Sequence, residues 1–333
     1  MYCAQDSSAN SIPTPRRNST FAALVVYHPK RSTRIDWTAA ALISAALFAG
    51  LNITDKVIMT TLGLRARAFL LFIGFQTLTT FAVIAVVNQY PSLPFEIWLK
   101  GIGVGIFWGF GAWLILWSLS RDEVSRVTPI SQSYPLLTVI FAVVLLGEPL
   151  SALESAAVVL TALGAVLAAL KFSGGSQPIT LSGTFGYLLI AVLMLAGGQT
   201  LLKTITDDVS FWHALGLRGA GMAIVLLPMN FRGEIASELL GFVRKPRALV
   251  ALTIDVGLAT AALALLTFAI ATGPLSLTSA ISGSTPLVVF FATVLLAKKF
   301  PQLLGETLTA RLITQKLIAA MLVVTGLTII ALA

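Results

Sequence analysis

The chain has 333 residues, 57% of them hydrophobic and only 11% charged, with a mean hydropathy of +0.91. Soluble domains carry about 25% charged residues, so this sequence lacks the polar coat of a soluble protein and reads as one dissolved in a bilayer. The net charge of +8 does not point to nucleic acid, because the basic residues lie mostly in short gaps between apolar blocks, where they anchor helix ends and meet anionic headgroups.

Residues 1–36 differ from the rest, being rich in Ser, Thr, Pro and Arg. Their apolar patch, Phe21–Tyr27, is too short to span a membrane and has no small-residue cleavage site, so a signal peptide is a poor reading. A disordered polar, basic tail is expected, or an upstream start codon chosen in error. Cys3 is the one cysteine, and His28 and His213 are the only histidines. No intramolecular disulfide and no Cys- or His-cluster metal site can be built, and no cofactor is expected.

Ten apolar blocks follow, at 37–55, 68–88, 98–120, 127–147, 152–171, 183–204, 210–230, 247–272, 276–297 and 314–333. Each is close to the roughly 17–25 residues of a spanning helix. Pro91 and Pro94 end the second, Arg121-Asp122-Glu123 separates the third from the fourth, and Gly147-Glu148-Pro149 ends the fourth. Ser173-Gly174-Gly175-Ser176 closes the fifth, Arg244-Lys245-Pro246-Arg247 opens the eighth, and Gly273-Pro274 divides the eighth from the ninth. The blocks are continuously apolar without strict alternation, which favours helices over barrel strands. Gly101, Gly105 and Gly109 recur along one face of the third block. Their spacing does not suit a phosphate loop and predicts close helix packing.

The fourth and ninth blocks match each other. Ile130-Ser131-Gln132-Ser133-Tyr134-Pro135-Leu136 and Ile281-Ser282-Gly283-Ser284-Thr285-Pro286-Leu287 share five of seven residues. Phe141–Leu146 and Phe291–Leu296 share five of six. A weaker match relates Ala49–Lys56 to Gly197–Lys203. The chain therefore divides into a first five-helix repeat at 37–171, a linker at 172–182 and a second repeat at 183–333. Five is odd, so the second copy enters the membrane from the opposite side. The expected fold class is an all-α integral membrane protein of ten transmembrane helices in two inverted five-helix repeats, a recurring plan of secondary transporters. Some channels and scaffolds also arise by duplication.

The run into Pro135-Leu136, then Phe141–Leu146 and Leu146-Gly147-Glu148-Pro149-Leu150, resembles the proline-containing fourth helix and Leu-Gly-Glu signature of the drug/metabolite transporter superfamily, in its EamA-type ten-helix branch. The second copy departs from it, ending in Ala297-Lys298-Lys299 without the Gly-Glu pair, with Phe300–Gln315 ahead of the last helix. The resemblance spans roughly 37–333. It implies a central cavity from the first, third, fourth, sixth, eighth and ninth helices, and it implies no particular substrate.

Polar groups inside spans are candidate functional groups because burying them in lipid is costly. Asp255, inside the eighth block, reads either as a proton- or cation-coupling carboxylate or as a structural partner of Arg218 in the seventh. Its repeat counterpart is near Val104, so a charge role would be asymmetric. Asn52, Lys56, Gln199 and Lys203 belong to the weaker repeated motif. The two lysines either contact an anionic substrate or snorkel to a headgroup layer, and Asp55 is placed to neutralise Lys56. Gln132, Ser133 and Tyr134 precede Pro135, and Ser282, Ser284 and Thr285 precede Pro286. Each proline removes a helical hydrogen bond and frees a carbonyl. The neighbouring polar groups then bind substrate beside a kink, or satisfy the backbone. Trp108 is a candidate for the cavity wall, Trp117 for the interface near Arg121, and His213 for an interfacial position.

Loop charge and family resemblance disagree on orientation. The loops opposite the termini hold Arg65, Arg67, Arg121, Arg232 and most other basic residues, which the positive-inside rule assigns to the cytoplasm. The resemblance implies cytoplasmic termini. The expected function is transport of a small metabolite or drug by alternating access in a multi-pass protein of the plasma membrane, without direct ATP use. The partners are a small-molecule substrate and the lipid bilayer, with a coupling proton or cation and no nucleic acid. A lipid-handling protein or membrane scaffold of the same fold is the alternative. An enzyme is not expected, since the spans hold no acid/base or metal cluster.

Overall fold

The computed structural model describes residues 36–121, 127, 130–169, 184–297 and 310–332, all within one compact unit, Ile35–Ala333. The tail up to residue 35, the 172–182 linker and Lys298–Lys299 lie outside the described residues.

The described residues contain helices and no strand. In chain order they are α1 (Trp37–Lys56), α2 (Ala66–Asn88), α3 (Phe95–Leu119), α4 (Tyr134–Leu146), α5 (Ala152–Ala169), α6 (Phe185–Lys203), α7 (Phe211–Asn230), α8 (Gly233–Val243), α9 (Pro246–Thr272), α10 (Leu275–Ser282), α11 (Thr285–Ala297) and α12 (Ala310–Leu332). Seven segments are long and apolar enough to cross a membrane: Trp37–Thr61, Ala66–Asn88, Phe95–Leu119, Phe185–Lys203, Phe211–Asn230, Pro246–Thr272 and Leu275–Ala292. Three shorter apolar helices, Tyr134–Leu146, Ala152–Leu167 and Thr314–Ile330, fall on the remaining sequence blocks. Apolar side chains cover the outside, with Val86 78%, Phe95 80% and Val144 72% exposed. Large apolar residues on an outer surface suit lipid as solvent.

The fourth and ninth blocks are not continuous helices. The chain turns at Gln132-Ser133 before α4, and at Gly283-Ser284 between α10 and α11. Proline has no N–H to donate and is tolerated in the first turn of a helix, so each block restarts there. The two breaks carry the same hydrogen bonds. Ser133 donates its Oγ to the Ile130 carbonyl at 2.7 Å, and Ser284 its Oγ to the Ile281 carbonyl at 2.7 Å. The Ser133 carbonyl accepts from Leu136 N at 3.1 Å, and the Ser284 carbonyl from Leu287 N at 3.0 Å.

Packing between the halves follows the same correspondence. α3 packs on α6 and α1 on α9; α4 packs on α6 and α11 on α1. α2 packs on α7, and α5 on α12. The expected glycine stripe of α3 is a helix contact. A Cβ at Gly101 would meet Leu217, one at Gly105 would lie 2.6 Å from Met222 N, and one at Gly109 3.2 Å from Val225 Cβ. All three contacts are with α7, whose backbone thus comes against that of α3.

Two features lie outside the sequence expectation. α1 continues into a π-helical turn, Val57–Thr61. The short helix α8 occupies the gap between the seventh and eighth blocks. Its Leu239 and Phe242 are buried among Ile58, Leu64 and Phe69, and its Glu238 accepts the Arg65 N–H at 3.1 Å.

Candidate substrate site

Arg218 is 1% exposed, in the middle of α7. A cation at the centre of a span costs about 2.5–3.5 kcal/mol on insertion scales, so its surroundings matter. Its guanidinium carbon lies 3.9 Å from the centre of the Trp108 ring on α3. The Trp108 and Tyr134 rings meet edge to face, with centroids 5.9 Å apart, and Tyr134 is within electrostatic reach of Arg218. Trp108 lies against α6 at Gly198, where a Cβ would fall 2.7 Å from its Cδ1. Only glycine leaves room for the indole there.

Among the described residues Nε, Nη1 and Nη2 of Arg218 and Nε1 of Trp108 are buried without a hydrogen-bond partner. So is Oε1 of Gln199, which follows Gly198 and is 2% exposed. Native proteins pair most of their buried polar atoms, so such a group of unpaired ones is a candidate place for a ligand. Arg218 also borders a cavity of about 20 Å³ shared with Gln76, Thr80 and Thr260.

Asp255 does not pair with Arg218. It is 1% exposed on α9, and its carboxyl is in hydrogen-bond contact with that of Asp55 on α1. The packing of α1 on α9 turns these two acids toward each other, whereas the packing of α3 on α7 turns Arg218 toward Trp108. One oxygen of each acid has no hydrogen-bond partner among the described residues. The sequence placed Asp55 as a neutraliser of Lys56 and missed this pairing.

The remaining candidates separate into groups. Tyr134 and Trp108 gather near Arg218, which the sequence had not ranked as a site residue, and Gln199 follows the glycine against which Trp108 packs. Its one available signal was a lone arginine within an apolar block. Gln132 and Ser133 line a different cavity, of about 20 Å³, with Pro135, Val158, Ala162 and Gly283. The hydroxyls of Ser282, Ser284 and Thr285 donate to the carbonyls of Thr278, Ile281 and Ser282 at 3.0, 2.7 and 2.8 Å. Those bonds satisfy the backbone near the Pro286 break. Lys203 donates its Nζ to the carbonyls of Ile270 and Gly273, both at 2.8 Å. Lys56 is half-buried at the end of α1, and Asn52 is exposed on the same helix.

At the end of the molecule bearing Arg65, a cavity of about 300 Å³ is lined by Arg65, Arg67, Arg121, Arg232, Glu234 and Glu238. Trp113 and Trp117 share its wall, and the Arg121 guanidinium sits 4.3 Å from the Trp117 ring centre. His213 is at the start of α7, where its ring Nδ1 is 2.8 Å from the Oγ of the N-cap Ser210.

The signature glutamate also has a role. Gly147 ends α4 with φ of 66°, in the left-handed region that favours glycine. Glu148 then reaches across to α10. Its carboxylate accepts from Leu275 N at 2.8 Å, Ser276 N at 2.9 Å and Ser276 Oγ at 2.7 Å. These are amides that the start of α10 leaves free.

Residues 36–170 match the model of the EamA-like transporter family. That match agrees with the drug/metabolite transporter superfamily, whose members are membrane transporters rather than enzymes. Its apolar helices of spanning length, together with that match, support an integral multi-pass membrane protein. No curated protein matches the chain. A solved structure titled "Crystal structure of protein" is similar in fold, with a TM-score of 0.63 at 19% identity, over 90% of this chain and 99% of that one.

Proposed function

We propose that this protein is a secondary carrier of a small metabolite or drug, working by alternating access in the plasma membrane. The two halves, 37–171 and 183–333, act as inverted repeats around an interior site beside Trp108, Tyr134, Gln199 and Arg218. The observation that carries this reading is the pair of matched helix breaks, at Pro135 and Pro286, one of which presents Tyr134 to buried polar groups without partners. Interrupted helices at a repeat interface are where transporters place substrate and where their halves bend. The exchange of packing partners between the halves supports the inverted relation.

The Asp55–Asp255 pair is assigned the coupling role, with a proton as the coupling ion. Two acids joined through a proton in an apolar interior release or hold it according to which side reaches them. Purified protein in liposomes should move a small solute without ATP, faster under a pH gradient. A broad solute panel giving no flux under any gradient would remove the carrier reading.

A further inference from the structure

We propose that Arg218 binds the anionic part of the substrate, a carboxylate or a comparable oxyanion. The inference rests on the carrier reading and adds the substrate's chemical class to it.

The donor and acceptor inventory leads there. Four nitrogens on two side chains in contact, Nε, Nη1 and Nη2 of Arg218 and Nε1 of Trp108, are buried donors with no acceptor among the described residues. A guanidinium and an indole offer N–H groups and accept nothing. Whatever satisfies them supplies several acceptor lone pairs at one place. A neutral solute would leave the positive charge of Arg218 uncompensated. A carboxylate offers about four lone-pair sites in a plane and meets the guanidinium fork with two parallel bonds.

Among the described residues no acid does this. Asp255 and Asp55 contact each other, and the tyrosine near Arg218 is a phenol. A structural cation has another appearance here: Lys203 gives its ammonium to two carbonyls. Trp108 covers one face of the guanidinium, a contact that stabilises the cation while leaving its N–H edge available.

The approach to the site has matching charge. The cavity of about 300 Å³ is lined by four arginines against two glutamates. Such a mouth concentrates anions. Its apolar lining residues Leu70, Trp113 and Leu116 pack with Met222 and Leu226, in a cluster that also includes Trp108. Met222 and Leu226 are about 6 and 12 Å along α7 from Arg218 by helical rise. One apolar layer therefore lies between the basic mouth and the guanidinium.

The test uses the full chain in detergent and in liposomes. Sodium benzoate, sodium pyruvate and methylphosphonate are the anionic probes, benzamide the neutral one and benzylamine the cationic one. The anions should raise Tm while benzamide and benzylamine do not. Arg218→Gln should weaken the anion response at least about tenfold, the factor for one lost charge-assisted hydrogen bond. Arg218→Lys keeps the charge without the planar fork, and should weaken it too should the glutamine variant fail to fold. Equal shifts by benzoate and benzamide, no shift with any anion, or an anion response untouched by both variants would overturn the site. Anion binding without flux would keep the site and remove the carrier reading. Flux of neutral or cationic solutes indifferent to Arg218→Lys would keep the carrier and overturn the site.

Discussion

Lys203 and Glu148 hold opposite sides of one break in the chain. The break is Gly273-Pro274, where α9 stops and α10 begins. Lys203, on α6, donates to the last carbonyls of α9, those of Ile270 and Gly273. Glu148, after α4, accepts from the first amides of α10, those of Leu275 and Ser276. Each charge has the sign that the helix end it meets prefers. A residue of the first half thus holds a joint of the second, through the Leu-Gly-Glu signature. Glu148→Ala should cost roughly 1.5–3 kcal/mol, the range for hydrogen bonds to a charged group, and Lys203→Met a similar amount. Gly147→Ala, which keeps the glutamate but forces a side chain into left-handed backbone, should cost about 1–2 kcal/mol. Thermal unfolding in detergent checks all three, and unchanged midpoints would deny the joint any structural weight.

The α3–α7 contact should tolerate no added methyl. A Cβ at Gly105 would run into the Arg218 carbonyl and the Gly221 Cα, and one at Gly221 into the Ile102 carbonyl. These neighbours are backbone and cannot swing aside. Gly105→Ala should destabilise by about 1–3 kcal/mol, the usual cost of overpacking, and should also weaken solute binding, because it displaces the turn that carries Arg218. Gly257→Ala is the control, since nothing lies within 4 Å of its added Cβ. Equal melting of the two variants would contradict the close approach.

The carboxyl pair should separate coupling from movement. Asp255→Asn leaves a hydrogen-bonding side chain of the same shape but removes the exchangeable proton. Uptake driven by a pH gradient should fall to the ungraded rate, while exchange of solute for solute continues. Asp55→Asn should do the same. Gradient-driven uptake surviving in both variants would take the pair out of the coupling role.

Tyr90 provides an alkaline signature outside the spans. Its hydroxyl donates to the His213 carbonyl at 3.3 Å, and burial pushes its pKa from 10.0 up to about 12. The fold favours the neutral phenol, so its contribution is full below about pH 10 and is lost as pH rises through about 12. Thermal midpoints should fall across that window, and Tyr90→Phe should flatten the fall. An equal slope in the variant would place the effect elsewhere.

Much of the fold was legible because lipid makes simple demands. A backbone without water must pair with itself, so apolar blocks of spanning length are helices. The ten blocks, the glycine stripe of α3 and the interruptions at Pro135 and Pro286 follow from local chemistry. The repeated Ile-Ser-x-Ser-x-Pro-Leu was read directly, and its two copies make equivalent hydrogen bonds. α8 escaped notice because its eleven residues mix charge with apolar side chains, and its helix is held by packing on α2 and α9.

The site was legible only in part. Trp108, Tyr134 and Gln199 stood out as polar or aromatic residues in spans, and the rings of the first two meet. Lys203 stood out equally and is occupied by carbonyls. Asp255 was identified, but its neighbour was not, because 200 residues of sequence separate it from Asp55 and only the contact of α1 with α9 closes that distance. The sequence by itself determined the solvent, the helices, the repeat and the family resemblance, since each depends on side chains near one another along the chain. The tertiary structure decided which charges are paired and which are left for a ligand. That depends on the faces helices turn to one another, set here by glycines that let α3 and α7 touch and by the acids that α1 and α9 bring together.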